Sequence, residues 1–357
     1  MLKLKVAQIS PLFESVPPKF YGGTERVVSY LSDELVRQGH DVTLYASGDS
    51  ITRAKLFSIT PEALRLKKFT DPLAFHILQL QEVLEAACNF DILHFHTDYL
   101  HFPLSNLAGL PTITTLHGRL DIPELQPLFK KFSHMPVVSI SDAQRKPLPQ
   151  AKWIGTVYHG LPLELYKKGN GIGNYLAFIG RISPEKRVDL AIEIARQAGL
   201  QIKVAAKVDK VDEIYFDKHI KHLMELPHVE FLGEIGEDQK NEFLGNALAL
   251  LFPIDWPEPF GIVMIEAMGC GTPVIAFKRG SVPEIIDEGQ TGFIVENVDQ
   301  AVKALKKIDQ LSRDVCRQIF EQRFSVTNMV HQYVKLYKKI LEANQSSRLP
   351  IAPVNNP

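Results

Sequence analysis

The chain has 357 residues, more than one hydrophobic core usually organises, so two domains are expected. A hydrophobic share of 45% with 23% charged residues is that of a soluble globular protein, and 40 basic against 41 acidic residues leave no net field to attract nucleic acid. Cys88, Cys270 and Cys316 are scattered without a C-x-x-C or a Cys/His cluster, which argues against a disulfide framework or structural zinc and suits a reducing cytoplasm.

The opening MLKLKVAQIS reads as a strand, its apolar run being too short for a signal peptide. Strand-like runs then alternate with helical patterns along the whole chain. In the first half they are 4–9, 42–46, 92–95, 112–116, 137–140 and 154–158; in the second, 175–179, 202–206, 229–232, 248–252, 274–277 and 293–295. Such alternation predicts doubly wound parallel sheets, and two sets of about six strands predict two Rossmann-like domains. The boundaries expected are 1–166 for the first domain, 167–174 for a flexible glycine-rich linker and 175–324 for the second. A C-terminal helix over 326–341 and a disordered tail over 344–357 complete the chain. The linker's GNGIG is not a dinucleotide fingerprint, because it precedes a strand instead of following one.

After the first strand, a proline-bearing loop leads to Tyr21-Gly22-Gly23-Thr24-Glu25-Arg26 and a helix with Val27, Val28, Leu31 and Leu35 on one face, stopped at Gly39. Gly22 and Gly23 either make a tight strand-to-helix turn or let an anionic ligand approach free N–H groups. His96 and Asp98 follow one strand and His117-Gly118 another, which puts all three at the edge where open α/β sheets bind ligands. Lys67-Lys68-Phe69 and Phe129-Lys130-Lys131-Phe132 could touch a membrane, although solvated surface is the favoured reading.

In the second half, Gly180-Arg181-Ile182-Ser183-Pro184-Glu185-Lys186 has Ser183 as a helix N-cap and Pro184 at the first helical position. Arg181 and Lys186 flank that helix start, where the dipole favours anions, or they are ordinary surface charge. The run from Phe260 to Phe277 is almost wholly apolar, and Gly269, Gly271 and Pro273 divide it into helix, turn and strand. One carboxylate, Glu266, lies inside it. Buried unpaired, it would cost several kcal/mol. Its partner is an Arg or Lys, backbone N–H groups, or ligand hydroxyls worth roughly 1.5–3 kcal/mol each. Glu258 stands eight positions earlier, at the mouth of the same helix.

EPFGIVMIEAMGCGTPVIA is similar to the E-x(7)-E signature of the retaining family 4 glycosyltransferases, which have the GT-B fold, and GGTERVV and GRISPEK resemble two further motifs of that family. The resemblance spans residues 4–341 or so. It implies transfer of a sugar from a nucleoside diphosphate sugar, UDP- or GDP-linked, to a hydroxyl acceptor with retained configuration. It further implies that Arg181 and Lys186 hold the donor pyrophosphate, that Glu266 takes the ribose hydroxyls and Glu258 the donor sugar hydroxyls. Backbone N–H groups around Phe260, Gly261 and Ile262 would orient that sugar; Gly22 and Gly23 would face the diphosphate and acceptor, and His117 the transferred sugar. His96 and Asp98 are candidate acceptor contacts. With no D-x-D motif, no metal or other cofactor is expected. Ser139, Ser141 and Arg145 match a weaker family pattern without an assigned role. The chain departs from the family at Tyr158-His159-Gly160, where Asn-Gly is common, so no role passes to His159; Lys207 stands where glycine is common. Other readings are a nucleotide-sugar 2-epimerase of the same fold and a non-catalytic nucleotide-sugar-binding protein.

Overall fold

The computed structural model describes residues 3–19, 22–66 and 70–346. Two parallel sheets carry the chain. The first contains β1 (Lys5–Ile9), β2 (Asp41–Ala46), β3 (Lys55–Ser58), β4 (Ile92–Phe95), β5 (Thr112–Thr115), β6 (Pro136–Ser139) and β7 (Lys152–Thr156), in the spatial order 3-2-1-4-5-6-7. The second contains β8 (Tyr175–Arg181), β9 (Gln201–Lys207), β10 (Val229–Gly233), β11 (Ala249–Phe252), β12 (Val274–Phe277) and β13 (Gly292–Val295), in the order 10-9-8-11-12-13. Helices cover both faces, so central strands such as β4, β5, β11 and β12 are buried at every residue and read as unbroken apolar or threonine-rich runs. Strand order reverses between β1 and β4 and between β8 and β11, and those two switch points open towards each other.

Three sequence expectations need correction. The first sheet has a seventh strand, β3, whose four residues are all exposed; an edge strand that buries nothing leaves no apolar alternation to read. The helix after β8 starts at Val188, not at Pro184. Residues 183–186 form a turn, held where the Asp255 N–H reaches the Glu185 carbonyl at 2.9 Å, and Arg187 precedes the helix in the left-handed region at φ 53°. Ser183 therefore caps nothing. The glycine-rich linker is seated rather than loose: Gly169, Gly171 and Gly173 donate to the carbonyls of Cys270, Gly245 and Asn246. A Cβ on Gly169 would stand 2.1 Å from the Gly245 carbonyl oxygen, so glycine is required there by close approach.

The C-terminal helix Val326–Ser346 runs five residues past Leu341, into the segment expected as a tail; the remainder of that tail lies outside the described residues, as do Lys67, Lys68 and Phe69. Its Val326, Met329, Val330, Tyr333 and Tyr337 are buried among Leu4, Val6, Val27 and Leu31 of the first domain. Apolar side chains sunk this deeply contribute roughly 1.5–3 kcal/mol each, which fastens the last helix to the first sheet. Phe129 is buried and Phe132 packs beside it against the same core, so that aromatic pair is not turned to a membrane. Among the described residues, no helix is long and apolar enough to cross one.

Candidate active site

A cavity of about 610 Å³ lies between the two sheets, within the size range of ligand pockets. One wall carries Arg181, Lys186, Glu258, Phe260, Gly261, Ile262 and Glu266; the other carries Gly22, Gly23, His96, Asp98 and His117. Every site residue expected from the sequence thus borders one space.

On the second-domain wall, Arg181 ends β8 and meets Glu185 at 2.8 Å, Asp212 at 3.4 Å and Asp209 at 4.0 Å. Lys207, at the end of β9, pairs with Asp209 at 3.1 Å. The Lys186 ammonium is 2.5 Å from Glu258 Oε2, with the rings of Trp256 and Phe252 5.4 and 5.8 Å away. Trp256 Nε1–H donates to the same carboxylate oxygen at 3.0 Å. The loop carrying Glu258 is tied from outside, where Ser281 Oγ–H donates to the Phe260 carbonyl and Ser281 N–H to that of Glu258. Gly261, at φ 76°, then opens the helix Ile262–Gly269. A side chain there would be strained and would crowd Met264 and Phe252. Ile262 and Val263, whose N–H groups open that helix ahead of its first bonded one, border the cavity. Phe260 itself is buried against His159 and Phe324, so only its backbone is offered to a ligand.

Glu266 lies on the helix Ile262–Gly269, 2% exposed. Its partner is a lysine: Lys240 Nζ is 2.8 Å from its carboxylate and 3.1 Å from Glu237. Glu237 is reached in turn by the Tyr166 hydroxyl and by Arg26 at 2.5 Å. Burial pulls the Arg26 guanidinium down most strongly, but Glu237, Tyr30 and Glu266 together outweigh it and hold the group above its ordinary value. Arg26 sits one turn beyond Gly22-Gly23, so this chain of charges joins the glycine loop of one domain to Glu266 of the other. Gly23 has open space where a Cβ would stand, whereas Gly22 is pressed against Pro18.

Across the cleft, His117 Nε2 and His96 Nδ1 are 2.9 Å apart, and His96 Nε2 is 2.8 Å from Gln8 Oε1. Burial depresses His96 well below the usual imidazole range and takes His117 down to about 3, so both rings are neutral and cannot balance phosphate charge. His159, given no role above, stacks on His117 at 5.4 Å and is also held neutral by burial. Burial pushes Glu25 up to about 7 beside the glycine loop. Ser139, Ser141 and Arg145 are local structure: Arg145 Nε–H donates to Ser139 Oγ, and Ser141 Oγ caps the helix Asp142–Arg145. The residues that sequence reasoning missed are partners, namely Lys240, Glu237, Arg26, Trp256 and Gln8. Of these only Arg26 lies within a motif, GGTERVV, and nothing local marks it as a partner of Glu237.

A family model described as Glycosyl transferases group 1 matches residues 164–345, and one described as Glycosyltransferase Family 4 matches residues 21–168. N-acetyl-alpha-D-glucosaminyl L-malate synthase of Bacillus anthracis is 26% identical over 374 aligned positions, covering 92% of this chain and 97% of that one. Phosphatidyl-myo-inositol mannosyltransferase of Propionibacterium freudenreichii is 25% identical over 339, covering 82% and 84%. Two solved structures share the fold. A glycosyltransferase involved in avilamycin A biosynthesis superposes with a TM-score of 0.74 at 24% identity, over 95% of this chain and 98% of that one. Sucrose-phosphate synthase from Thermosynechococcus elongatus superposes at 0.78 and 17% identity, over 96% and 100%.

Proposed function

The chain belongs to the group 1 glycosyl transferases and has the GT-B fold, and from its cleft we propose that it moves a hexosyl group from a nucleoside diphosphate sugar to a hydroxyl acceptor with retention of configuration. The observation that carries this reading is the convergence of Arg181, Lys186, Glu258 and Glu266 on one cavity wall, at the carboxyl edge of the second sheet. Two cations there suit a diphosphate, and two carboxylates suit hydroxyl groups.

In this reading Glu266 accepts from the ribose hydroxyls and Glu258 from hydroxyls of the transferred sugar. Arg181 and Lys186 take up the negative charge that gathers on the diphosphate as the glycosidic bond breaks. The leading N–H groups of the helix Ile262–Gly269 orient the sugar and phosphate. His117, neutral and in the opposite wall, contacts the sugar, while His96 and Asp98 face the acceptor. The acceptor oxygen forms its bond to the anomeric carbon on the face from which the diphosphate departs. Its proton passes to a departing phosphate oxygen, so no protein nucleophile is needed. The Arg/Lys pair does this without a divalent cation. L-malate and phosphatidyl-myo-inositol appear in the names of the two relatives above, so a small hydroxy acid and an inositol lipid are the acceptor classes to test first. A uridine or guanosine donor is the first to test.

Thermal unfolding with UDP, GDP, ADP and NAD at equal concentration tests the donor site. A ligand at a hundred times its Kd adds roughly 2.7 kcal/mol, so one nucleoside diphosphate should raise Tm by a few degrees, with EDTA making no difference. A shift with NAD alone, or with none of the four, refutes the assignment.

A further inference from the structure

The cleft histidines do not end at the cleft. His117 Nε2 meets His96 Nδ1 at 2.9 Å, His96 Nε2 meets Gln8 Oε1 at 2.8 Å, and Gln8 Nε2–H donates to the Tyr337 hydroxyl at 3.1 Å. The Tyr337 hydroxyl lies 2.8 Å from His94 Nδ1, His94 Nε2 lies 2.8 Å from Thr115 Oγ1, and Thr115 Oγ1 lies 3.0 Å from the Tyr333 hydroxyl. Gln8, His94, His96, Thr115, Tyr333 and Tyr337 are all nearly or fully buried, so water does not scramble the chain.

A neutral imidazole has one donor and one acceptor nitrogen, so each link fixes the next. The Gln8 carbonyl oxygen can only accept, which places the His96 proton on Nε2. His96 Nδ1 must then accept, which places the His117 proton on Nε2 as well. Run in reverse, with the amide turned over, the same distances would leave an N–H at His117 Nδ1. That atom has no partner among the described residues. A buried N–H without an acceptor is rarer than an under-used lone pair, so the first direction is favoured. The depression of His96 below the usual imidazole range agrees, since a second proton on its Nδ1 would break the chain.

We propose that Gln8, anchored by Tyr337 of the C-terminal helix, is a positioning residue that holds His117 as the Nε2–H tautomer, leaving the buried Nδ1 beside the cleft without a proton. Any group that reaches His117 through Nδ1 is thereby a donor such as a hydroxyl and not a phosphate oxygen or carbonyl. This inference rests on reading His117 as a contact to the transferred sugar. The tautomer itself is read without any donor, so failure of one is separable from failure of the other.

The test is long-range proton–nitrogen correlation NMR on the full chain labelled with 15N-histidine at pH 7.5. His96 and His117 are expected to carry their protons on Nε2; a proton on Nδ1 of either overturns the proposal with no variant made. Gln8→Leu should give mixed tautomers at both rings and lower kcat roughly tenfold while leaving the donor KM within about twofold, the size of one lost hydrogen bond. Gln8→Glu, whose carboxyl still accepts from His96, should keep the wild-type tautomers and recover most of kcat. Unchanged tautomers in Gln8→Leu refute the role of Gln8. Should that variant fail to fold, Tyr337→Phe removes the anchor instead and is expected to give the same mixing, whereas wild-type tautomers there refute the anchoring.

Discussion

Glu258→Gln should move nucleotide affinity and turnover in opposite directions. In the structure the Lys186 ammonium is 2.5 Å from the Glu258 carboxylate, with the two side chains only 18% and 12% exposed. At an effective dielectric constant of about 20, their gross attraction is on the order of 6 kcal/mol. A diphosphate that recruits Lys186 must first replace that attraction. The amide keeps a hydrogen bond but not the charge, so part of the opposition disappears; a net change of about 1.5 kcal/mol corresponds to roughly tenfold tighter binding of the free nucleoside diphosphate. The sugar, however, loses the anionic acceptor for its hydroxyls, and turnover should fall at least about a hundredfold, some 2.7 kcal/mol of barrier. Calorimetric titration of the nucleotide and initial rates with its sugar, on the same preparation, measure both. Weaker nucleotide binding together with near-normal turnover would refute the assignment of Lys186 to phosphate and Glu258 to sugar.

The buried titrating groups make two further predictions, and Lys240 a third. His94, His96 and His159 are held well below the normal imidazole range, and His101 and His117 at about 3, by burial in every case. The unfolded chain protonates these rings below about pH 6.5 and the native state does not, so stability is lost as pH falls through that value; His101 alone loses about 2 kcal/mol by pH 5. Tm should fall steeply from pH 7 to 5, and a flat profile would contradict the neutral rings. Burial raises Glu25 to about 7, which works the other way: the native state keeps this proton up to pH 7 while the unfolded chain releases it near 4.5. Glu25→Gln should therefore raise stability at pH 8 by up to about 3 kcal/mol and change little at pH 4.5, as judged by urea unfolding at both values. Lys240→Met leaves Glu266 buried without its cation and should cost roughly 3–5 kcal/mol. Added nucleotide should recover more stability in that variant than in the wild type; equal stability of the two proteins would show that Glu266 has another partner.

Much of the architecture was legible because parallel strands covered on both faces leave unbroken apolar runs, and because the residue after each run marks the ligand edge. His96, Asp98 and His117 were found that way. The exposed strand Lys55–Ser58 leaves no such trace. Ser183 and Pro184 carry every local sign of a helix start, yet the tie from Asp255 to Glu185 and the left-handed Arg187 delay the helix to Val188. Local propensity was outvoted by a contact from seventy positions away in the chain, an outcome no window of neighbouring residues can foresee. The same limit governs the site. Glu258 at the mouth of a helix and Glu266 within it are visible as a spacing, whereas Lys240, Arg26 and Gln8 serve the site only through long-range pairing.

Those partners explain how so many charges can share a cavity without a bound ligand. Arg181, Lys186 and Lys240 are each matched by a carboxylate within the same cleft. Isolated ions this far from water would be costly, and matched ones are held in place with their hydrogen-bonding directions set. In the proposed function, a nucleotide sugar entering such a site would exchange partners instead of bringing new charge to bare ions: its phosphates would replace Glu258 at Lys186, and its hydroxyls would replace lysine at the carboxylates. A free phosphate can make the first exchange but not the second, and a neutral sugar only the second. Selectivity for the conjugate over either half then follows from the pairing itself. The link from Glu266 through Lys240 and Glu237 to Arg26 extends the exchange across the cleft, because any shift of Lys240 towards Glu237 competes with the arginine of the opposite domain.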